Sequence, residues 1–274
     1  MVKLIVCDID NTLVPKHKLP SENTLRCIHE LRDNGILFGL ASGRDTGGLK
    51  VLADNWGIEC DVLIGNNGGE YLDCLTGEHD ILPKLDKKYV KEIFELMSPF
   101  KDKVNTFMVI DGQRYCRRLD EATMASFKYA KTGELPIVVE DESIFWAQDQ
   151  YKAGFRTPAE IMPEVEKHVA EHPSDIYKGF KTEFTMFEFA PVAADKGKQL
   201  VRFAKNHNIP IEDVMGIGDM TNDVSLIADA GIGVCMENGS DDAKAVADII
   251  TDKSIEDDGW ADFIQKNVLD KIKK

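Results

Sequence analysis

No apolar run in this chain approaches the ~18 residues that a bilayer-spanning helix needs, which excludes a helical membrane span. Basic residues are in short supply: 33 Lys and Arg stand against 48 Asp and Glu, a net charge of −15. A broad nucleic-acid footprint needs a basic face, so neither a nucleic acid nor a membrane is expected as a partner. The six cysteines, Cys7, Cys27, Cys60, Cys74, Cys116 and Cys235, form no C-x-x-C pair. Reduced, buried thiols are therefore expected rather than a redox or zinc role. Internal repeats and low-complexity segments are also missing. The N-terminus reads as a strand broken by two aspartates rather than as a signal peptide, so a cytoplasmic location is expected.

What remains is an ordinary soluble composition, 43% hydrophobic, in a chain of 274 residues. That length buries a full core and suggests one large domain, or a core with an insert. An anionic protein that acts on an anionic small molecule needs a local positive cluster, most simply a metal with a Lys or Arg.

The apolar run from Val2 to Cys7 reads as a buried strand. Ser21 opens a helix with Leu25, Ile28 and Leu31 at helical spacing, and Gly35 closes it. Ile36 to Leu40 is a second strand, residues 46–55 a helix stopped near Gly57, and Val62 to Gly65 a third strand. This alternation predicts a parallel sheet covered by helices. From about Pro83 the rhythm changes. Helices over Lys87–Met97, Glu121–Lys131 and Ala159–Glu171 are mixed with strands over Val104–Ile110, Gln113–Arg117 and Glu183–Phe189. Neighbouring strands with short turns indicate an antiparallel α+β unit. After Asp195 the alternation resumes: a helix to about Asn206, strands Asp213–Ile217 and Ile232–Cys235, then a helix, a short strand and a terminal helix over Trp260–Lys273. The expectation is an α/β fold, a Rossmann-like parallel-sheet core over 1–82 and 191–274 with an inserted α+β cap domain over 83–190.

In an open parallel sheet, ligands sit at the carboxyl ends of the strands where the winding reverses. Four polar clusters fall at such ends: Asp8-Ile9-Asp10-Asn11-Thr12, Ser42-Gly43-Arg44, Asn66-Asn67, and Gly218-Asp219 with Asn222-Asp223. Asp8 and Asp10 share one side of their strand, at its mouth. Asp8, Asp10, Asp219 and Asp223 would repel one another if bare. A hard cation resolves the repulsion, and Mg2+ prefers oxygen ligands, typically one or two carboxylates plus substrate phosphate. Lys196 adds a second positive charge, Thr12 and Ser42 offer hydroxyls, and helix starts add backbone N–H groups. Together these make a phosphate site. One carboxylate can attack phosphorus to form an acyl phosphate, while another protonates the leaving oxygen and then deprotonates water.

The same constellation resembles the haloacid dehalogenase (HAD) superfamily. Its first motif, D-x-D-x-T, stands as Asp8 to Thr12. The second is Ser42 in A-S-G-R, the third Lys196 in A-D-K-G, and the fourth G-D-x-x-N-D from Gly218 to Asp223. The insert matches the position of a C2-type cap (subfamily IIB). The tail, A-G-I-G-V-C-M-E-N-G followed by E-D-D-G-W, looks like the Cof-type branch. The resemblance implies that Asp8 is the nucleophile and a Mg2+ ligand, and that Asp10 is the acid/base with its backbone carbonyl on the metal. It further implies that Thr12, Ser42 and Lys196 hold the phosphoryl group, that Asp219 ligates Mg2+, and that Asn222 and Asp223 support the site.

Gly43, Arg44 and Asn67 are supporting or substrate candidates; Arg44 fits a substrate contact or an acidic partner, and Asn67 a turn or a substrate contact. Arg114, Arg117, Lys178 and Lys181 are candidates for reading the leaving group. Two motifs are decoys. His168-Val-Ala-Glu171-His172 matches a zinc-peptidase pattern, but Pro173 follows directly and no third ligand is signalled. Gly216-Ile217-Gly218 begins like a dinucleotide loop, but Thr221 stands where a third glycine is required. The expected function is hydrolysis of a small phosphorylated metabolite, a sugar phosphate or phosphorylated cofactor, by a Mg2+-dependent phosphatase. A phosphotransferase or mutase, and a non-catalytic phosphate-binding regulatory module, are the alternatives.

Overall fold

Polar turns separate apolar runs so regularly that each run becomes one strand or one helix face. A computed structural model describes residues 1–16, 18–121, 123–124 and 135–272. Strand β1, Leu4–Cys7, is buried at every position, as a parallel strand covered on both faces requires. Ser21 caps the helix Glu22–Asp33 by accepting from Thr24 N, and Thr24, Cys27, Ile28 and Leu31 form its buried stripe. Gly35, at φ 74°, turns the chain back into β2, Leu37–Ala41. Asp45 caps the helix Thr46–Trp56, which Gly57 ends in the left-handed conformation. Strand β3, Val62–Gly65, follows, then β4, Glu70–Asp73, and β5, His79–Ile81.

The second half of this unit adds the helix Lys196–Asn206, β12 at Val214–Gly218, β13 at Ile232–Cys235 and β14 at Ile249–Ile250. The sheet order is β14-β13-β12-β1-β2-β3-β4-β5. Pairing is parallel from β14 to β3, and β4 and β5 extend the edge antiparallel. The chain leaves β1 toward β2 and returns beside it as β12, so the winding reverses at the centre. One face of the sheet packs Phe38, Leu40 and Ile217 against Leu49, Trp260 and Ile264. The other packs Val6, Ile64 and Val214 against Leu200, Phe203 and Leu226.

Residues Met1–Leu82 with Ala193–Lys274 make this compact unit, and Pro83–Val192 make another. The second holds a six-stranded sheet: β6 (Asn105–Ile110), β7 (Gln113–Cys116), β8 (Ile137–Val138), β9 (Ala153–Arg156), β10 (Tyr177–Glu183) and β11 (Met186–Pro191). Its order is β10-β11-β9-β6-β7-β8, antiparallel except at β7–β8. Phe94 of the helix Lys87–Leu96 stacks on Phe145 at 5.4 Å and meets Phe155 at 5.2 Å, joining helix to sheet in one aromatic core.

Several expectations need correction. The strand expected over Glu183–Phe189 is β11 from Met186 onward, and its first three residues are the end of β10 and the turn of a hairpin. The helix expected from Ala159 starts at Met162, with a proline in its first turn. Strands β4, β5, β8 and β9, and β10 up to Glu183, are additional. The helix expected over Glu121–Lys131 lies largely outside the described residues. Of the thiols, Cys74 is exposed and Cys60 half-buried; the other four are buried.

Candidate active site

Asp8 follows β1 directly, and its N–H donates to Ile217 O at 2.9 Å, continuing the ladder onto β12. The chain then folds tightly. Asn11 takes φ 66°, and the N–H groups of Leu13 and Val14 both donate to Ile9 O at 3.0 Å. The turn aims Thr12 back into the protein, where its Oγ1 donates to Asp219 Oδ1 at 2.6 Å. Asp219 follows β12 just as Asp8 follows β1, so the two carboxylates meet at the centre of the sheet.

Lys196 opens the helix Lys196–Asn206 and is completely buried. Its Nζ donates to Asp8 Oδ1 at 2.7 Å and to Asp223 Oδ1 at 2.6 Å. The other oxygen of Asp223 accepts from the N–H groups of Asp219 and Met220, both at 3.1 Å. Gly218 makes this possible: a Cβ there would lie 2.3 Å from Asp223 Cβ.

Three buried carboxylates thus face one ammonium. Burial and the charge of Asp223 push the Asp8 carboxyl up to about 7, against the pull of Lys196. Burial, followed by Asp223 and Asp8, drives Asp219 well above the usual carboxylate range. Burial disfavours the Lys196 ammonium, but Asp223 and Asp8 outweigh it and hold the lysine charged beyond its ordinary range. One oxygen from each of Asp8, Asp219 and Asp223 lies within 4.8 Å of the others. An all-oxygen set with surplus negative charge is the chemistry that a hard divalent cation fits.

The remaining predicted residues line the neighbouring strand ends. Ser42, buried, follows β2; its N–H donates to Ile64 O at 2.8 Å and its carbonyl accepts from Asn67 N at 2.9 Å. Gly43 is half-buried in the turn between Ser42 and Arg44. Arg44 pairs with Asp10 at 2.7 Å, and the Asp10 side chain is 35% exposed. Asn67, at φ 54°, accepts from Asn222 Nδ2 at 3.1 Å, which ties the Asn66-Asn67 turn to the loop after β12.

Sequence reasoning passed over three contributors. Asn238 donates to Asn11 O at 2.9 Å and so braces the turn after β1. Ser240 N donates to Asp219 O at 2.8 Å. Glu70 accepts bonds from the segments beside Ser42 and Asn67. Only the A-G-I-G-V-C-M-E-N-G run gave any signal of these, and it pointed to Asn238.

Two of the leaving-group candidates are committed elsewhere in the 83–192 unit: Arg117 to Glu142 at 2.8 Å and Lys181 to Glu166 at 2.9 Å. His168 Nε2 sits 3.0 Å from Leu96 O and His172 Nδ1 2.8 Å from His168 O, and the zinc-peptidase pattern gathers no ligand set among the described residues. Gly216 and Gly218 lie inside β12, where a Cβ on Gly216 would meet Leu226 O at 2.1 Å.

A Rossmann-like sheet whose central strand ends deliver carboxylates to a buried lysine defines a class of hydrolase. The haloacid dehalogenase-like hydrolase family model matches residues 5–264, and the chain belongs to that family. A 5-amino-6-(5-phospho-D-ribitylamino)uracil phosphatase of Bacillus subtilis is 26% identical over 269 residues, 98% of this chain and 96% of the relative. An HMP-PP phosphatase of Yersinia enterocolitica is 25% identical over 238 residues, 87% and 85% of the two chains. Among solved structures, a haloacid dehalogenase-like hydrolase from Bacteroides thetaiotaomicron superposes with a TM-score of 0.72 at 26% identity, over 97% of this chain and 99% of the other. A HAD subclass IIB sugar phosphatase shares the fold, with a TM-score of 0.74 at 20% identity over 97% and 98%. Among the described residues no helix is long and apolar enough to cross a membrane.

Proposed function

We propose that this protein is a Mg2+-dependent phosphatase of a small phosphorylated metabolite, working through an aspartyl-phosphate on Asp8. The observation that carries the reading is Lys196, buried and bonded to both Asp8 and Asp223, beside an Asp219 held by Thr12. Relatives named for phosphorylated small molecules support a sugar phosphate or phosphorylated cofactor as substrate.

Asp8 and Asp219, with the backbone carbonyl of Asp10, would hold the metal, and Asp223 and Asn222 support them. When bound, Mg2+ supplies charge neutralisation at the phosphoryl oxygens. Thr12, Ser42 and Lys196 orient the phosphoryl group, and the turns carrying Gly43, Arg44 and Asn67 border it. Asp8 attacks phosphorus, the bond from phosphorus to the leaving oxygen breaks, and Asp10 gives that oxygen its proton. Asp10 then takes a proton from water. The resulting hydroxide attacks phosphorus, the bond to Asp8 breaks, and phosphate leaves. Arg44 orients the Asp10 carboxylate for both transfers. Residues 83–192 act as the cap that sets substrate preference.

Phosphate release from a panel of phosphorylated metabolites, with Mg2+ and no added acceptor, tests the reading. Release that stops with chelator and in Asp8→Asn, with circular dichroism unchanged, is the expected result. Turnover by Asp8→Asn at the wild-type rate would remove Asp8 from the mechanism. Transfer seen only with an added acceptor would make the enzyme a phosphotransferase.

A further inference from the structure

Glu70 opens β4, is 6% exposed, and belongs to none of the four sequence motifs. Its carboxylate nonetheless receives bonds from three separate segments. Oε2 accepts from Thr46 N at 3.0 Å and from Asn66 Nδ2 at 3.1 Å. Oε1 accepts from Thr46 Oγ1 at 2.6 Å, and His79 Nε2 lies 2.9 Å from it. Thr46 begins the helix that continues the Ser42-Gly43-Arg44 turn, and Asn66 begins the turn that carries Asn67.

Those two turns are also bonded to each other. Asn66 N donates to Arg44 O at 2.7 Å and Asn67 N to Ser42 O at 2.9 Å. Asn66 and Asn67 are both left-handed, at φ 49° and 54°. Two consecutive non-glycine residues in that region persist only when their surroundings hold them there. Space is tight as well: a Cβ on Gly65 would lie 2.8 Å from Thr46 N. Moving either turn therefore moves the other, and Asn67 passes the displacement to Asn222 through its bond at 3.1 Å. A carboxylate at the first turn of an eleven-residue helix is also favoured by the helix dipole.

We propose that Glu70 is a positioning residue for phosphoryl binding: it clamps the Ser42–Arg44 turn to the Asn66–Asn67 turn and so fixes the Ser42 side of the phosphoryl site. The inference rests on the phosphatase reading. Glu70 touches no reacting atom in this scheme. Its removal should loosen the grip on the phosphoryl group without touching the carboxylates that make and break bonds.

The test compares wild type, Glu70→Gln and Glu70→Ala. It measures kcat and KM on para-nitrophenyl phosphate with Mg2+, inhibition by inorganic phosphate, and thermal unfolding. Glu70→Ala should raise KM and weaken phosphate inhibition about tenfold or more, with kcat changed far less. Glu70→Gln, which keeps an acceptor for Thr46, should recover part of the loss. Wild-type KM and phosphate inhibition in folded Glu70→Ala overturn the proposal. So does a loss confined to kcat, which would make Glu70 part of the chemistry. If Glu70→Ala fails to fold, Glu70→Gln decides: wild-type constants overturn the clamp, and a raised KM with weakened inhibition upholds it. A wild-type protein that neither releases phosphate nor is inhibited by it fails at the first arm, which sinks the phosphatase reading and this inference with it.

Discussion

Replacing Lys196 with methionine keeps most of the length of the side chain and deletes its ammonium. In the wild type the ammonium is fully buried and sits 2.7 and 2.6 Å from carboxylates that are themselves buried. Without it, Asp8 and Asp223 are left in a poorly solvated site with no counter-charge. Removing one partner of a buried ion pair costs about 3–5 kcal/mol, mostly through the desolvated charge left behind. Asp8, already pushed up to about 7, is the group that can relieve part of this by taking a proton. Lys196→Met should therefore lose about 3 kcal/mol or more in urea unfolding of the metal-free protein at pH 8. Adding Asp223→Asn in the same chain should recover a good part of that loss, because it removes one of the two orphaned charges. That coupling is what a double-mutant cycle isolates. Activity should fall by about 100-fold or more in Lys196→Met, in line with deleting a donor to developing phosphoryl charge. A Lys196→Met protein within about 1 kcal/mol of wild type would refute the electrostatic argument. A double variant no more stable than the single one would trace the loss to packing instead.

Asp73 offers a pH test away from the site. Burial raises its carboxyl, but bonds from His207 Nε2 at 2.7 Å and from the N–H groups of Leu75 and Thr76 outweigh it and hold the group below the usual carboxylate range. A depressed folded-state value contributes stability above the unfolded value and loses it as pH falls through the folded one. Asp73→Asn should thus cost about 1–3 kcal/mol at pH 7, and its Tm difference from wild type should shrink toward zero on acidification below the carboxylate range. Gly218→Ala places a methyl 2.3 Å from Asp223 Cβ. It should cost about 1–3 kcal/mol and lower kcat/KM by shifting Asp223 off Lys196; unchanged kinetics would show that the loop absorbs the clash.

Legibility in the sequence followed the physics of each element. Strands β1, β2, β3, β12 and β13 are apolar and bounded by turn residues, so their positions could be read within a residue or two. The β4–β5 hairpin was not legible: all three residues of β5 are exposed, and an edge strand of that length carries no periodic signal. Strand β11 was read as starting at Glu183 because polar–apolar alternation runs on through Glu183-Phe184-Thr185 across the turn, while β10 was not read at all. In the site, the four motifs named the side chains that Lys196 and Thr12 join, since each motif stands at a strand end that parallel winding gathers in one place. Glu70 carried no such mark. A single glutamate after two glycines becomes a clamp only through Thr46, Asn66 and His79, which tertiary structure alone brings to it.

The placement of Asp8 and Asp10 bears on how two carboxylates so close in sequence could divide the work. Both stand at the mouth of β1, yet the turn from Ile9 to Val14 sends them into unlike surroundings. Asp8 is 7% exposed and faces Lys196 among other buried acids. Asp10 is partly solvated and pairs with Arg44. A buried carboxylate beside a lysine is held in position and poorly hydrated, as a nucleophile aimed at an incoming phosphorus atom should be. A partly exposed one paired with an exposed arginine can exchange protons with solvent between the two half-reactions, as an acid that must become a base should. Unlike environments for a pair of like groups are how acid and nucleophile are told apart in such sites. Here a single tight turn, with Asn11 at φ 66° and Asn238 bracing its carbonyl, is enough to create them.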